Sequence, residues 1–184
     1  MQTRLALLPM LLAASFAAAQ EQEAAKPRKS VAEMFLAQAT AISPELGKAT
    51  AKAQLHNKNV LVLFPEHGQG LAAMLKKDRA LSRPLLYEVE MASLTAPMAD
   101  EAAKRWDAGA GRPAAVMLSK AGDVLVRLNG ADLVVDGKVP GADLLKKLEP
   151  KWATPVDAEQ KLTAALAEAK KTGRNVFIRF DAPW

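Results

Sequence analysis

Short continuous apolar runs alternate along the chain with amphipathic stretches. Asn59-Val60-Leu61-Val62-Leu63-Phe64 is almost wholly apolar and rich in β-branched residues, which suits a strand covered on both faces. Leu85-Leu86-Tyr87-Glu88-Val89-Glu90 reads as a second strand and Ala114-Ala115-Val116-Met117-Leu118 as a third. Ser119 to Asp123 is a turn and Val124 to Leu128 a fourth strand, so the last two strands form a hairpin. Ser30-Val31-Ala32-Glu33 has the capping-box pattern that satisfies orphan amides at a helix start, and it opens a helix to about Thr40. Ser43 caps and Pro44 begins a second helix, which runs to about His56, where Asn57 can end it. Further helices are predicted over Leu71 to Lys77, Pro97 to Trp106 and Gly141 to Leu148; in the middle one Met98, Ala102, Ala103 and Trp106 share an apolar side. Pro65 to Gly70 and Gly109 to Pro113 are loops. Crossover helices therefore separate the first three strands and a hairpin closes the order, which predicts an α/β domain with a mixed central sheet.

The ends of the chain read differently. Met1 to Ala19 has a positive start at Arg4, an apolar stretch from Leu5 to Ala14 and small residues at Ala17-Ala18-Ala19, the pattern of a secretory signal. The apolar stretch is short for a membrane span, so a soluble product, secreted or periplasmic, is expected with no membrane attachment after signal cleavage. Positions 20–42 are a polar tether and the first helix, 43–150 the α/β domain, and 151–184 the start of something further.

Composition narrows the chemistry. Among 184 residues there is no cysteine and there are two histidines, His56 and His67. Disulfides, thiolate metal sites and thiol chemistry are thereby excluded for these residues, and no metal or other cofactor is expected. The net charge of +5 is scattered in pairs such as Lys76-Lys77 and Lys146-Lys147, without the interleaved aromatics of a nucleic-acid surface, so no nucleic-acid partner is expected. His67-Gly68-Gln69-Gly70 is too slight a glycine pattern for a phosphate loop, and Glu66 beside His67 has no visible third ligand; we read both as part of a strand-to-helix loop. Trp106 and Trp152 read as core or domain-junction residues.

Glu45 to Gly68 resembles Lys161 to Trp184 at an offset of 116 positions. Leu46 pairs with Leu162, Ala49 with Ala165, Asn59-Val60 with Asn175-Val176, and Phe64 with Phe180. Both copies run from an amphipathic helix through a polar turn into an apolar strand, the second over Val176 to Phe180. The offset fits one small domain per copy and points to duplication.

Asn175-Val176-Phe177-Ile178-Arg179-Phe180-Asp181-Ala182-Pro183-Trp184 is similar to the strand and F-x-A-x-W stretch that precede the Cys-x-x-Cys of the thioredoxin family. In the first copy, Gly111-Arg112-Pro113-Ala114 resembles the family's cis-proline loop and Lys120-Ala121-Gly122-Asp123 its hairpin turn. The resemblance implies a thioredoxin-like three-layer α/β/α domain over 43–150, with Val60, Tyr87 and Val116 in one central sheet, followed by an incomplete second copy. Counting forward from Phe64, the family's cysteine positions fall on Gln69 and Ala72. The reaction needs a thiolate and a resolving thiol, and an amide and a methyl group supply neither.

The resemblance thus implies no catalytic residue in this domain. It does imply peptide contact at Gln69, Arg112 and Pro113, because in the family the backbone beside that proline pairs with an extended substrate. The plainer reading, that Pro113 only shapes the entry to a strand, stands beside it. Phe180, Ala182, Pro183 and Trp184 would precede an active site in a longer chain. The expectation is an exported, redox-inactive domain, the N-terminal part of a tandem thiol–disulfide or selenocysteine oxidoreductase concerned with cell redox homeostasis. An open frame that begins UGA after the Trp184 codon and supplies a cysteine three codons on would support the selenocysteine form. The alternative is a stand-alone peptide-binding or chaperone-like module whose partners are extended or unfolded segments of exported proteins.

Overall fold

The computed structural model describes residues 29–65, 70–106 and 114–178. The chain enters through an antiparallel helix pair, α1 (Val31–Ile42) and α2 (Pro44–His56). The capping box of α1 is made: the Ser30 N–H donates to Glu33 Oε2 at 2.7 Å and the Glu33 N–H to Ser30 Oγ at 3.2 Å. Buried Ser43 serves both helices, since its N–H donates to Ala39 O while its hydroxyl accepts from the Glu45 N–H. Asn57 ends α2 in the left-handed conformation, at φ 55°.

β1 (Asn59–Leu63) is buried along its whole length. It is followed by α3 (Leu71–Lys77), α4 (Ser82–Glu88), β2 (Val89–Ser93), α5 (Ala96–Arg105), β3 (Ala115–Leu118) and β4 (Val124–Leu128). After these come a single turn of helix, α6 (Gly130–Leu133), then α7 (Gly141–Leu148), a 3-10 turn at Glu149–Lys151 and α8 (Ala158–Thr172). The four strands make one mixed sheet in the order β2-β1-β3-β4, with β1 parallel to β2 and antiparallel to β3, and β3 antiparallel to β4. The α/β expectation with a mixed sheet and a closing hairpin matches this architecture.

Because successive side chains point to opposite faces, β1 feeds two cores. Val60, Val62 and Phe64 pack with residues of α1, α2 and α5 and with Trp106, which follows α5. Leu61 and Leu63 pack with residues of α3, α4, α6 and α7, and Trp152 lies against that cluster. In the β3–β4 turn Gly122, at φ 96°, runs so close to the Phe35 ring that a Cβ there would come within 2.6 Å of it.

The structure differs from the sequence reading in three places. The strand expected over Leu85 to Glu90 starts late: Leu85 to Glu88 belong to α4, and only Val89 and Glu90 are strand, pairing with β1 from Val89 opposite Asn59. Val60 and Val116 share the sheet as expected, whereas Tyr87 lies in α4. The physical cause is the spacing of Leu81 and Leu85, four apart and both buried in the second core, with Pro84 tolerated in a first helical turn. Secondly, α6 has no counterpart in the sequence reading. Thirdly, of the strand expected over Val176 to Phe180, the described part is not strand, and Phe177 and Ile178 are exposed.

Candidate functional site

The parallel strands β1 and β2 finish side by side, and their carboxyl ends open onto a cleft of about 510 Å³. Phe64, Pro65 and Gly70 line it from the β1 side, and Leu94 and Thr95 from the β2 side. Glu45, in the first turn of α2, stands at its rim, a position where the helix dipole favours a carboxylate. Leu63 and Phe64 are buried there, so the floor is apolar.

The third chain segment at this end is the start of β3. The Phe64 N–H donates to Ala114 O at 3.0 Å, and the Ala114 N–H donates to Leu128 O at 2.7 Å. Leu63 is paired with Ala115 across the β1–β3 ladder. The residues that flank both candidate loops, Pro65 and Gly70 on one and Ala114 on the other, are therefore gathered at one end of the sheet. That convergence follows from the antiparallel pairing of β1 with β3, which places the end of β1 beside the beginning of β3.

Gln69, Arg112 and Pro113 lie outside the described residues, as do Glu66, His67 and the group Phe180, Ala182, Pro183 and Trp184. Ala72, the second position where the resemblance would require a cysteine, is described: it sits in α3 and lines the cleft. Its methyl group offers no acid, base or nucleophile.

Charged groups missed in the sequence lie along β2. Lys58, between α2 and β1, donates to Glu90 Oε1 at 2.9 Å and to Leu86 O at 2.8 Å. Both charged side chains are largely withdrawn from solvent, at 18% and 22% exposure. The ammonium thus ties the start of β1 to the end of α4 and neutralises the carboxylate near the start of β2. Only the Asn59–Val89 register of the β1–β2 ladder brings these residues together, and no local pattern announces it.

At the opposite end of β1, buried Asn59 donates through Nδ2 to Lys151 O at 2.7 Å. Asn57 donates to Thr154 O at 2.8 Å and accepts from Lys120 Nζ at 2.6 Å. These amides pin the exit of the domain and the hairpin turn to one corner. Among the described residues no group of histidines and carboxylates is placed to hold a metal ion. Nor is any described helix long and apolar enough to cross a membrane. Comparison with family models, with characterised proteins and with solved structures gives no match.

Proposed function

We propose that residues 43–150 form a thioredoxin-like, redox-inactive domain of an exported protein, and that it holds an extended peptide at the strand-end cleft for a thiol–disulfide or selenol oxidoreductase. The observation that carries this reading is the convergence of Phe64, Gly70 and Ala114 at the carboxyl end of a central buried strand. That strand has a parallel neighbour on one side and an antiparallel hairpin on the other, the kind of mixed sheet the resemblance implies. The F-x-A-x-W-like stretch at Phe180 to Trp184 supports a second copy in the same protein. Absence of sulfur nucleophiles supports a holding role over a catalytic one, because electrons cannot pass between thiols through residues that carry none.

Photo-cross-linking to an unfolded client peptide tests the reading, and label concentrated on 64–72 and 112–115 is the expected result. Label spread evenly over the surface would overturn it. A second reading, a stand-alone chaperone-like binder, is favoured by the same lack of thiols in the chain. Insulin reduction by a separate cysteine-containing thioredoxin separates the two. Acceleration by this chain supports positioning for an oxidoreductase; unchanged reduction with suppressed client aggregation supports the chaperone-like role. Insulin reduction by this chain alone would contradict both.

A further inference from the structure

The outer edge of β2 is a second place where an extended chain can bind, and it is independent of the cleft reading. β2 ends the strand order, so among the described residues no strand pairs with its outer side. The Leu94 N–H donates inward to Leu63 O at 2.9 Å. N–H and C=O directions alternate along a strand, so Met91 and Ser93 turn their backbone groups outward. They face a trough of about 380 Å³. Lys48 and Lys52, four apart on α2, form one wall; Ala72 and Lys76, four apart on α3, form the other. A second hollow, lined by Lys52, Lys76, Leu85, Leu86 and Met91, prolongs the trough toward α4.

The charge of this trough is one-sided. Lys48, Lys52 and Lys76 are exposed and have no ion-pair partner among the described residues. Glu90 is occupied by Lys58, which leaves Glu45 at the cleft end as the remaining carboxylate along the lining. An incoming strand would send alternate side chains toward α2 and toward α3, and acidic residues on either parity would meet a lysine. At the other sheet edge, β4, Arg127 already donates to Trp106 O at 2.8 Å.

We propose that the β2 edge accepts an extended acidic peptide segment of a partner protein as an added strand, with main-chain pairing at Met91 and Ser93 and charge selection by Lys48, Lys52 and Lys76. The test is fluorescence anisotropy on the full chain with a labelled alternating valine–glutamate peptide. Two controls of equal length accompany it: a valine–lysine peptide, and the glutamate peptide N-methylated at every amide, so that neither of its edges can donate. The glutamate peptide should bind at least about tenfold more tightly than either control, and more weakly as salt is raised. Hydrogen exchange should slow at the amides of Met91 and Ser93 in its presence. The double charge reversal K52E/K76E, on exposed side chains, should weaken binding about tenfold. Ser93→Pro removes the outward donor at an edge that tolerates proline and should also weaken it; if that variant fails to fold, the charge reversal still decides. Equal binding of the lysine peptide, undiminished binding of the N-methylated one, or no saturable binding would overturn the proposal. So would a dimer whose β2 amides are protected without peptide, because a second copy would then fill the edge.

Discussion

Thr50 is fully buried on α2, and among the described residues its hydroxyl has no hydrogen-bond partner. An unpaired buried hydroxyl costs roughly 1–3 kcal/mol of desolvation, and valine has nearly the same shape and helix propensity. Thr50→Val should therefore raise stability by about 1 kcal/mol, read as a higher urea midpoint with unchanged slope. Asp132 presents the opposite case. Its hydrogen bond to Lys147, with a second from the Asn129 N–H, holds the carboxyl below its ordinary value, and partial burial opposes that only in part. A depressed folded-state value means the stabilisation is present above the ordinary carboxylate range and disappears as pH falls through the folded value. Lys147 is half exposed, so screening keeps the effect near 0.5 kcal/mol. Asp132→Asn should cost about that much at neutral pH, and urea midpoints should converge with the parent in acid. Ser30, Ser43, Pro44 and Asn57 announced their capping roles in the sequence because capping is local chemistry. Lys58 with Glu90, and Asn59 with Lys151, did not, because each pair is separated by tens of residues; the first meets through the β1–β2 register and the second where the 3-10 turn after α7 reaches the start of β1.

Among the elements, the α1–α2 hairpin depends on a close approach at Gly47. A Cβ there would come within 2.9 Å of the Thr40 backbone Cα and would strike the Thr40 side chain. Alanine would gain roughly 0.5–1 kcal/mol in helix propensity, whereas the clash is with backbone that cannot swing aside and costs about 1–3 kcal/mol. The clash should win. Gly47→Ala is expected to lower stability by about 1 kcal/mol, measured by thermal unfolding, and no loss would show that the hairpin can part at little cost. The same scale explains the late start of β2. A short apolar run such as Leu85-Leu86-Tyr87 fits a buried helix or a buried strand, and only its packing on Leu81 and the second core decides between them. β1 was legible because five buried residues in succession leave a short helix no polar face. Of the cleft, the floor at Leu63 and Phe64 was legible as the end of an apolar run, whereas Gln69, Arg112 and Pro113 lie outside the described residues. The lysine-lined trough was not legible, because it takes α2, α3 and β2 together to form it.

For the whole molecule, α8 stands apart from the two cores. It carries no buried residue, and Leu162 and Leu166 are 38% and 53% exposed. Segments with few buried contacts open at the low end of the stability range. Limited trypsin digestion should remove α8 first, through Lys161, Lys170 and Lys171, and leave a resistant fragment that ends near Lys151, identified by mass spectrometry. Resistance of α8 equal to that of α7 would show that it docks on the domain in solution.

Asn57 grips Thr154 beside the start of β1, while the cleft opens where β1 finishes. A strand of five residues separates the two, a span of roughly 17 Å. The backbone therefore departs from the pole farthest from the cleft, like a handle fixed opposite a blade. A fluorescent protein or surface anchor joined beyond Thr154 should leave that opening unobstructed, whereas the same cargo spliced near Pro65 would sit in its mouth.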